Sequence, residues 1–369
     1  MTDRPTDVAD AALAGGVPGA LPPLAATTIE SLRPGPRLIV LGAVHGNETC
    51  GTVAQRRVLD DLHAGRLALT AGAVTFVPVA NPLAYAHARR TGDRNLNRHL
   101  VPKPDPRDYE DHLANWLCPL LAAHDVLLDL HSFQAEGQPF VMVGPPDNAG
   151  AIEPFAQAAR EEALAARLGV ARAVDGWLGT YARGVQARAA RGRARAGAGE
   201  RAGAEAGADT DTDTDTGASV SAGLRDLDWQ LGVGTTETMR RAGGCALTLE
   251  CGQHADPEAP VVAERAIRRT LAFLGLVAPP DGEPPPAPRP LETLHLEDVV
   301  DRLDPGDTFA RDWRSFDPVA AGTRIGTRAG GEPVVAPYDG WLVFPNAAAR
   351  PDEEWFYLAR RSSRFDAPV

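Results

Sequence analysis

Lysine is almost missing from these 369 residues. Lys103 is the only one, so nearly all of the 37 basic side chains are arginine. That scarcity excludes a lipoyl- or biotinyl-carrier role for the C-terminal stretch, which has no lysine to carry the group. Cysteine is sparse as well. Cys50, Cys118, Cys245 and Cys251 form no Cys-x-x-Cys pair, which argues against a thiolate metal site or disulfide scaffold and for reduced core residues. No run of about 18 apolar residues occurs, and the N-terminus lacks a charged start followed by an apolar core. No membrane partner and a cytoplasmic location are therefore expected. The chain also lacks a basic surplus: its formal net charge is -12, so no nucleic acid is expected as a partner. What remains is an ordinary globular composition with 44% hydrophobic residues, long enough for one large α/β domain and a smaller one.

The most informative stretch is Leu38-Ile39-Val40-Leu41-Gly42-Ala43-Val44-His45-Gly46-Asn47-Glu48. An apolar run that reads as a buried strand ends in a glycine-flanked turn bearing an imidazole and a carboxylate. Both are metal-ligand types, delivered past the carboxyl end of a strand, where α/β proteins place their sites. Val126-Leu127-Leu128-Asp129-Leu130-His131-Ser132 repeats the pattern. His45, Glu48 and His131 would together supply three protein ligands and leave a fourth position open, the arrangement of a catalytic zinc site. Side chains alternate along a strand, so Asp129 shares a side with His131 and can orient an imidazole from behind. Each motif alone reads as a surface accident or a strand cap; their joint occurrence favours a metal.

Between the two motifs lies Arg89-Arg90-Thr91-Gly92-Asp93-Arg94-Asn95-Leu96-Asn97-Arg98. Guanidinium groups bind carboxylates through a planar two-bond fork, so this loop is a candidate reader of an acidic substrate. In a chain that writes its positive charge as arginine, the Asn97-Arg98 pair is more telling than the count. Later, Ala246-Leu247-Thr248-Leu249-Glu250-Cys251-Gly252 sets Glu250 in apolar surroundings. Restricted hydration raises a carboxyl pKa, as a general base for water activation requires.

In order and spacing these motifs resemble the succinylglutamate desuccinylase/aspartoacylase family, within the wider clan of zinc carboxypeptidases. The resemblance runs from about residue 38 to residue 252. It implies one zinc ion per chain held by His45, Glu48 and His131, and Glu250 as catalytic base. It implies Arg90, Asn97 and Arg98 as substrate and oxyanion contacts, and a further substrate arginine at Arg240, with Arg241 as the alternative. Asn95 stands where many relatives carry an aspartate behind the metal site, and Arg350 stands near where aspartoacylases carry a late tyrosine. The implied reaction is hydrolysis of the amide of a small, anionic N-acylated amino acid. A peptide-directed zinc carboxypeptidase and a catalytically inactive zinc-binding protein stand as alternatives. A homo-oligomer is left open.

Along the chain, residues 1–34 read as a loosely ordered leader and residues 35–277 as the zinc hydrolase domain. Strands are expected at 37–44, 73–79, 126–130 and 139–143, with helices at 51–64, 109–123 and 152–168. Such alternation predicts an α/β fold, a three-layer αβα arrangement around a mixed sheet. Residues 186–222, rich in Arg, Ala and Gly and ending in an Asp-Thr ladder, are expected to be a disordered insertion. Residues 278–290 form a Pro-rich linker. Residues 291–369 read as a small β-rich domain, with strands near 323–326, 333–336, 340–344 and 355–358.

Overall fold

In the computed structural model, which describes residues 22–204, 228–278 and 287–366, the first layer rule is visible in strand β2 (Arg37–Leu41). Leu38 and Val40 pack into one core and Ile39 and Leu41 into another, because successive side chains point to opposite faces. The parallel strands around it are buried on both sides, which is why they read as continuous apolar runs rather than alternating ones.

The chain forms two compact units. The first comprises residues 1–175, 234–295 and 361–369. Its sheet contains β1 (Thr27–Glu30), β2, β3 (Ala73–Val77), β4 (Val126–Phe133), β5 (Phe140–Met142), β6 (Arg172–Asp175), β7 (Cys245–Gln253) and the start of β8 (Glu292–Asp301). Their order is β1-β3-β2-β4-β7-β5-β6-β8. β3, β2, β4 and β7 run parallel; β1 and β5 pair antiparallel with β3 and β7. One face is covered by α1 (Cys50–His63), α4 (Ala158–Ala165) and α7 (Ala259–Phe273), through residues such as Val58, Leu164 and Ile267. The other is covered by α3 (Tyr109–Ala122) and α6 (Thr235–Arg241), through Leu113, Leu117 and Met239. The short helix α2 (Pro82–Ala86) follows β3. The expected αβα layering around a mixed sheet is present.

The second unit comprises residues 176–233 and 296–360. It holds helix α5 (Trp177–Ala204), β9 (Thr308–Phe309), β10 (Asp317–Val319), β11 (Arg324–Thr327), β12 (Pro333–Val335), β13 (Gly340–Val343) and β14 (Glu354–Ser362). β10, β13 and β14 pair antiparallel, and β9, β11 and β12 make a three-stranded sheet. Trp313, Ile325, Leu342, Trp355 and Phe356 fill its core. The β-rich C-terminal region is thus present, but this unit also takes in helix α5 and, among the described residues, 228–233.

Two sequence expectations change here. Disorder from residue 186 gives way to helix as far as Ala204. Alanine and arginine are strong helix formers, and the helix has partners: Arg188 pairs with Asp301 at 2.7 Å and Arg195 with Asp352 at 2.9 Å. The rest of that segment, including the Asp-Thr ladder, lies outside the described residues, as do residues 1–21 and 279–286. The leader reading gives way at Thr27–Glu30, where β1 pairs with β3. All four cysteines are buried free thiols. Among the described residues no helix is long and apolar enough to cross a membrane.

Candidate metal centre

Strands β2, β4 and β7 are parallel neighbours, so their carboxyl ends lie at one edge of the sheet. After β2 the chain turns tightly, with Glu48 N–H donating to the His45 carbonyl at 3.0 Å. That turn brings two side chains three residues apart onto one site. It demands unusual backbone. Ala43 sits at φ 46°, a left-handed conformation that costs an alanine on the order of 1 kcal/mol or more. Gly46 has no room for a side chain, since a Cβ there would lie 2.0 Å from the Ala84 carbonyl carbon.

His45, Glu48 and His131 are brought together, all three at most 3% exposed. His45 Nδ1 lies 2.9 Å from Glu48 Oε1 and His131 Nδ1 lies 2.8 Å from Glu48 Oε2. One ligand atom from each falls within 4.8 Å of the others, and no other such group of three occurs among the described residues. Glu48 also accepts from Arg90 Nη1 at 2.8 Å and from the Ser132 amide at 3.2 Å.

Each imidazole has an oxygen behind it. His45 Nε2 lies 3.1 Å from Asn95 Oδ1. His131 Nε2 lies 3.0 Å from Asp129 Oδ2, close enough for an ion pair but without hydrogen-bond alignment. Asp129 Oδ2 accepts in turn from the Thr235 hydroxyl at 2.5 Å. Asn95 is therefore the direct partner of His45, while the nearby Asp93 is committed to the Tyr109 amide.

Glu250 is the register partner of His131 across the β4–β7 pairing. Burial pushes its pKa up to about 8, with His131 opposing and Glu48 assisting. Its Oε2 is buried with no hydrogen-bond partner, and so is Asp129 Oδ1. Burial lowers the pKa of His45 to about 4. For His131 burial acts the same way, but the Asp129 and Glu48 carboxylates overcome it and hold the ring well above its ordinary value.

This donor set fits a divalent cation. Two imidazole nitrogens converge with a carboxylate, the other ring nitrogens face the oxygens of Asn95 and Asp129, and buried acceptors stand by unsatisfied.

The remaining expected residues separate. Asn97 occupies the same loop, but its Oδ1 accepts from the Thr235 amide at 2.9 Å and caps α6, whose N-cap, Gly234, has no side chain. Arg98 donates to the Asn97 carbonyl at 2.7 Å. Arg240 is not brought to the cluster. Its guanidinium binds Glu161 at 3.0 Å, Glu153 at 2.9 Å and the Ala246 carbonyl at 2.7 Å. That places it beside the start of β7, four residues or roughly 13 Å along the strand from Glu250. The substrate role expected for Arg240 gives way to a structural one, since these partners occupy its fork. Arg241 is exposed, near Glu237 and Glu153.

Sequence reasoning missed Thr235, which positions Asp129. It also missed His254, whose Nδ1 lies 2.8 Å from Ser132 Oγ, next to His131. Neither sits in a local pattern: Thr235 lies 106 residues from Asp129, and only the fold joins them.

The fold and site define an α/β protein with a buried His/Glu/His cluster at the strand ends of a mixed sheet. Residues 34–165 match the family model described as the succinylglutamate desuccinylase/aspartoacylase catalytic domain. Solved structures share the fold. A succinylglutamate desuccinylase/aspartoacylase from Rhodobacter sphaeroides superposes with a TM-score of 0.62 at 16% identity, covering 92% of this chain and 89% of that one. The product-bound ectoine utilization protein EutE (DoeB) from Ruegeria pomeroyi gives 0.60 at 20% identity, covering 91% and 88%. An aspartoacylase family protein from Mesorhizobium loti gives 0.59 at 20% identity, covering 92% and 90%. No curated protein matches the sequence.

Proposed function

We propose that this protein is a zinc-dependent deacylase that hydrolyses the amide bond of a small, anionic N-acyl amino acid. The observation that carries the reading is the convergence of His45, Glu48 and His131 with an unpartnered, buried Glu250 beside them. The family match over residues 34–165 supports the reaction class.

His45 Nδ1, the Glu48 carboxylate and His131 Nδ1 would hold the ion. A bound zinc polarises a carbonyl and lowers the pKa of water toward neutrality. Glu250 receives the proton of the attacking water at Oε2 and returns it to the nitrogen of the departing amino acid. Its raised pKa suits both halves of that transfer, because a group poised near neutrality can take and give a proton. Arg90, half exposed beside Glu48, is assigned to the substrate carboxylate. Arg98 is assigned to the charge developing on the carbonyl oxygen and Asn97 to substrate orientation, both from their positions in the loop. Asn95 and Asp129 hold the two imidazoles. A cytoplasmic location is part of the proposal.

The test is metal content measured together with hydrolysis of N-acetyl and N-succinyl amino acids and of blocked dipeptides. About one zinc per chain, lost in His45→Ala, with turnover of the N-acyl amino acids, is the expected result. Preference for dipeptides would move the reading to a carboxypeptidase. Wild-type protein without metal would end it.

A further inference from the structure

Glu110 lies in the first turn of α3, and it is completely buried. Its two oxygens receive four N–H donors. Oε1 accepts from Asn81 Nδ2 at 2.9 Å and from the Gly92 amide at 3.1 Å. Oε2 accepts from the amides of Asp93 and Arg94, both at 3.1 Å. Three consecutive backbone N–H groups thus wrap one carboxylate. The wrap needs a bare Cα, since a Cβ on Gly92 would lie 2.5 Å from Glu110 Oε1. The contact is reciprocated, for Asp93 Oδ2 accepts from the Tyr109 amide of the same helix turn at 2.9 Å.

Both sides of this carboxylate lead to the metal centre. Through Gly92, Asp93 and Arg94 it fixes the start of the loop that carries Asn95, whose Oδ1 lies against His45 Nε2. Through Asn81 it reaches the ligand turn itself. The Asn81 amide donates to the carbonyl of Ala43 at 3.0 Å, two residues before His45, and its Oδ1 accepts from the Ala84 amide at 3.1 Å. The Ala84 carbonyl group is the one that Gly46 packs against. One buried side chain therefore sets the ligand turn and the loop behind it in register with each other.

We infer that Glu110 is a positioning residue for the site. It touches neither ligand nor substrate, and it holds His45 and its partner Asn95 at a fixed mutual geometry through two hydrogen-bonded arms. The inference rests on the metal-centre reading for its affinity readout, and on the hydrogen-bond geometry alone for its exchange readout.

Glu110→Gln is the informative variant because it keeps size and one acceptor oxygen. Its NH2 group must face either the Asp93 and Arg94 amides or the Gly92 amide and Asn81, setting donor against donor. The expected result is faster hydrogen exchange confined to the amides of residues 92–98 and the 43–48 turn. Zinc affinity, measured by competition with a chelator on the full chain, is expected to fall about 10-fold or more, as when outer partners of ligating histidines are lost. Gly92→Ala, which pushes the carboxylate away without removing it, is expected to move both readouts the same way. Glu110→Gln with wild-type zinc affinity and unchanged exchange in both segments would overturn the inference. So would exchange that rises evenly across the domain, which is what a merely structural role produces. Should wild-type protein bind no zinc, the functional reading fails while the exchange comparison still decides for or against Glu110.

Discussion

The two ends of strand β7 bury the same kinds of groups and treat them in opposite ways. At its start, Glu161 is wholly enclosed and saturated. It accepts from the Gly144 and Ala246 amides at 2.5 and 2.9 Å and from Arg240 at 3.0 and 3.2 Å. At its other end Glu250 is enclosed with an oxygen that bonds nothing. A buried polar group without a partner costs roughly 1–3 kcal/mol, more when charged. The first carboxylate is fully satisfied within the fold, and the second keeps a buried oxygen without a partner. Polarity and burial do not distinguish them; satisfaction does.

Substitutions that exchange the two kinds of outcome test this contrast. Glu250→Gln is expected to lower turnover by about 10²–10⁴-fold with zinc retained, since it removes the group proposed to move the proton. Its unfolding free energy should stay level or rise, because the change removes a carboxyl group whose charged form burial opposes. Chemical denaturation alongside turnover checks both. Glu161→Ala should do the reverse. It leaves a buried guanidinium and two amides short of their acceptor, and the expected loss is about 3–5 kcal/mol of stability. Equal destabilisation by the two would dissolve the contrast. Arg90→Ala should raise KM by about 10-fold or more with a smaller change in kcat, the signature of a lost charged contact to substrate.

The smallest effect concerns Glu153, which pairs with Arg240 at 2.9 Å. Burial raises its pKa to about 7, against the pull of Arg240. A carboxyl whose folded pKa exceeds its unfolded one contributes stability below the unfolded value, and that contribution is lost as pH rises toward 7. Glu153→Gln should therefore gain thermal stability relative to wild type at pH 8 and little at pH 4.5. A pH-independent difference would show that Arg240 keeps this carboxyl charged throughout.

What was readable in the sequence follows the same division. The His45–Glu48 turn, the His131 strand and Glu250 each sit in a local apolar run, so their strand-end placement can be inferred from neighbours in the chain. The layering was readable for the same reason. Arg240 misled because its commitment to Glu161 crosses 79 residues and nothing beside it in sequence announces a partner. Glu110 was silent for a related cause: its partners are backbone amides, which every residue possesses. The helix through residues 186–204 was missed because low complexity outweighed helix propensity in the reading, while Asp301 and Glu354, its anchors, lie far along the chain.

The order of strands has a consequence for how the protein is made. β7 lies between β4 and β5 in the sheet, yet it leaves the ribosome about 110 residues after β4. At roughly 5–20 residues per second, the β7 side of an eight-residue strand that is buried throughout waits on the order of 6–20 s for its neighbour. An apolar strand with an open edge is a template for pairing with another chain. Nascent copies of this protein should therefore need shielding by a chaperone until residue 253 has emerged, and only then does Glu250 meet His131.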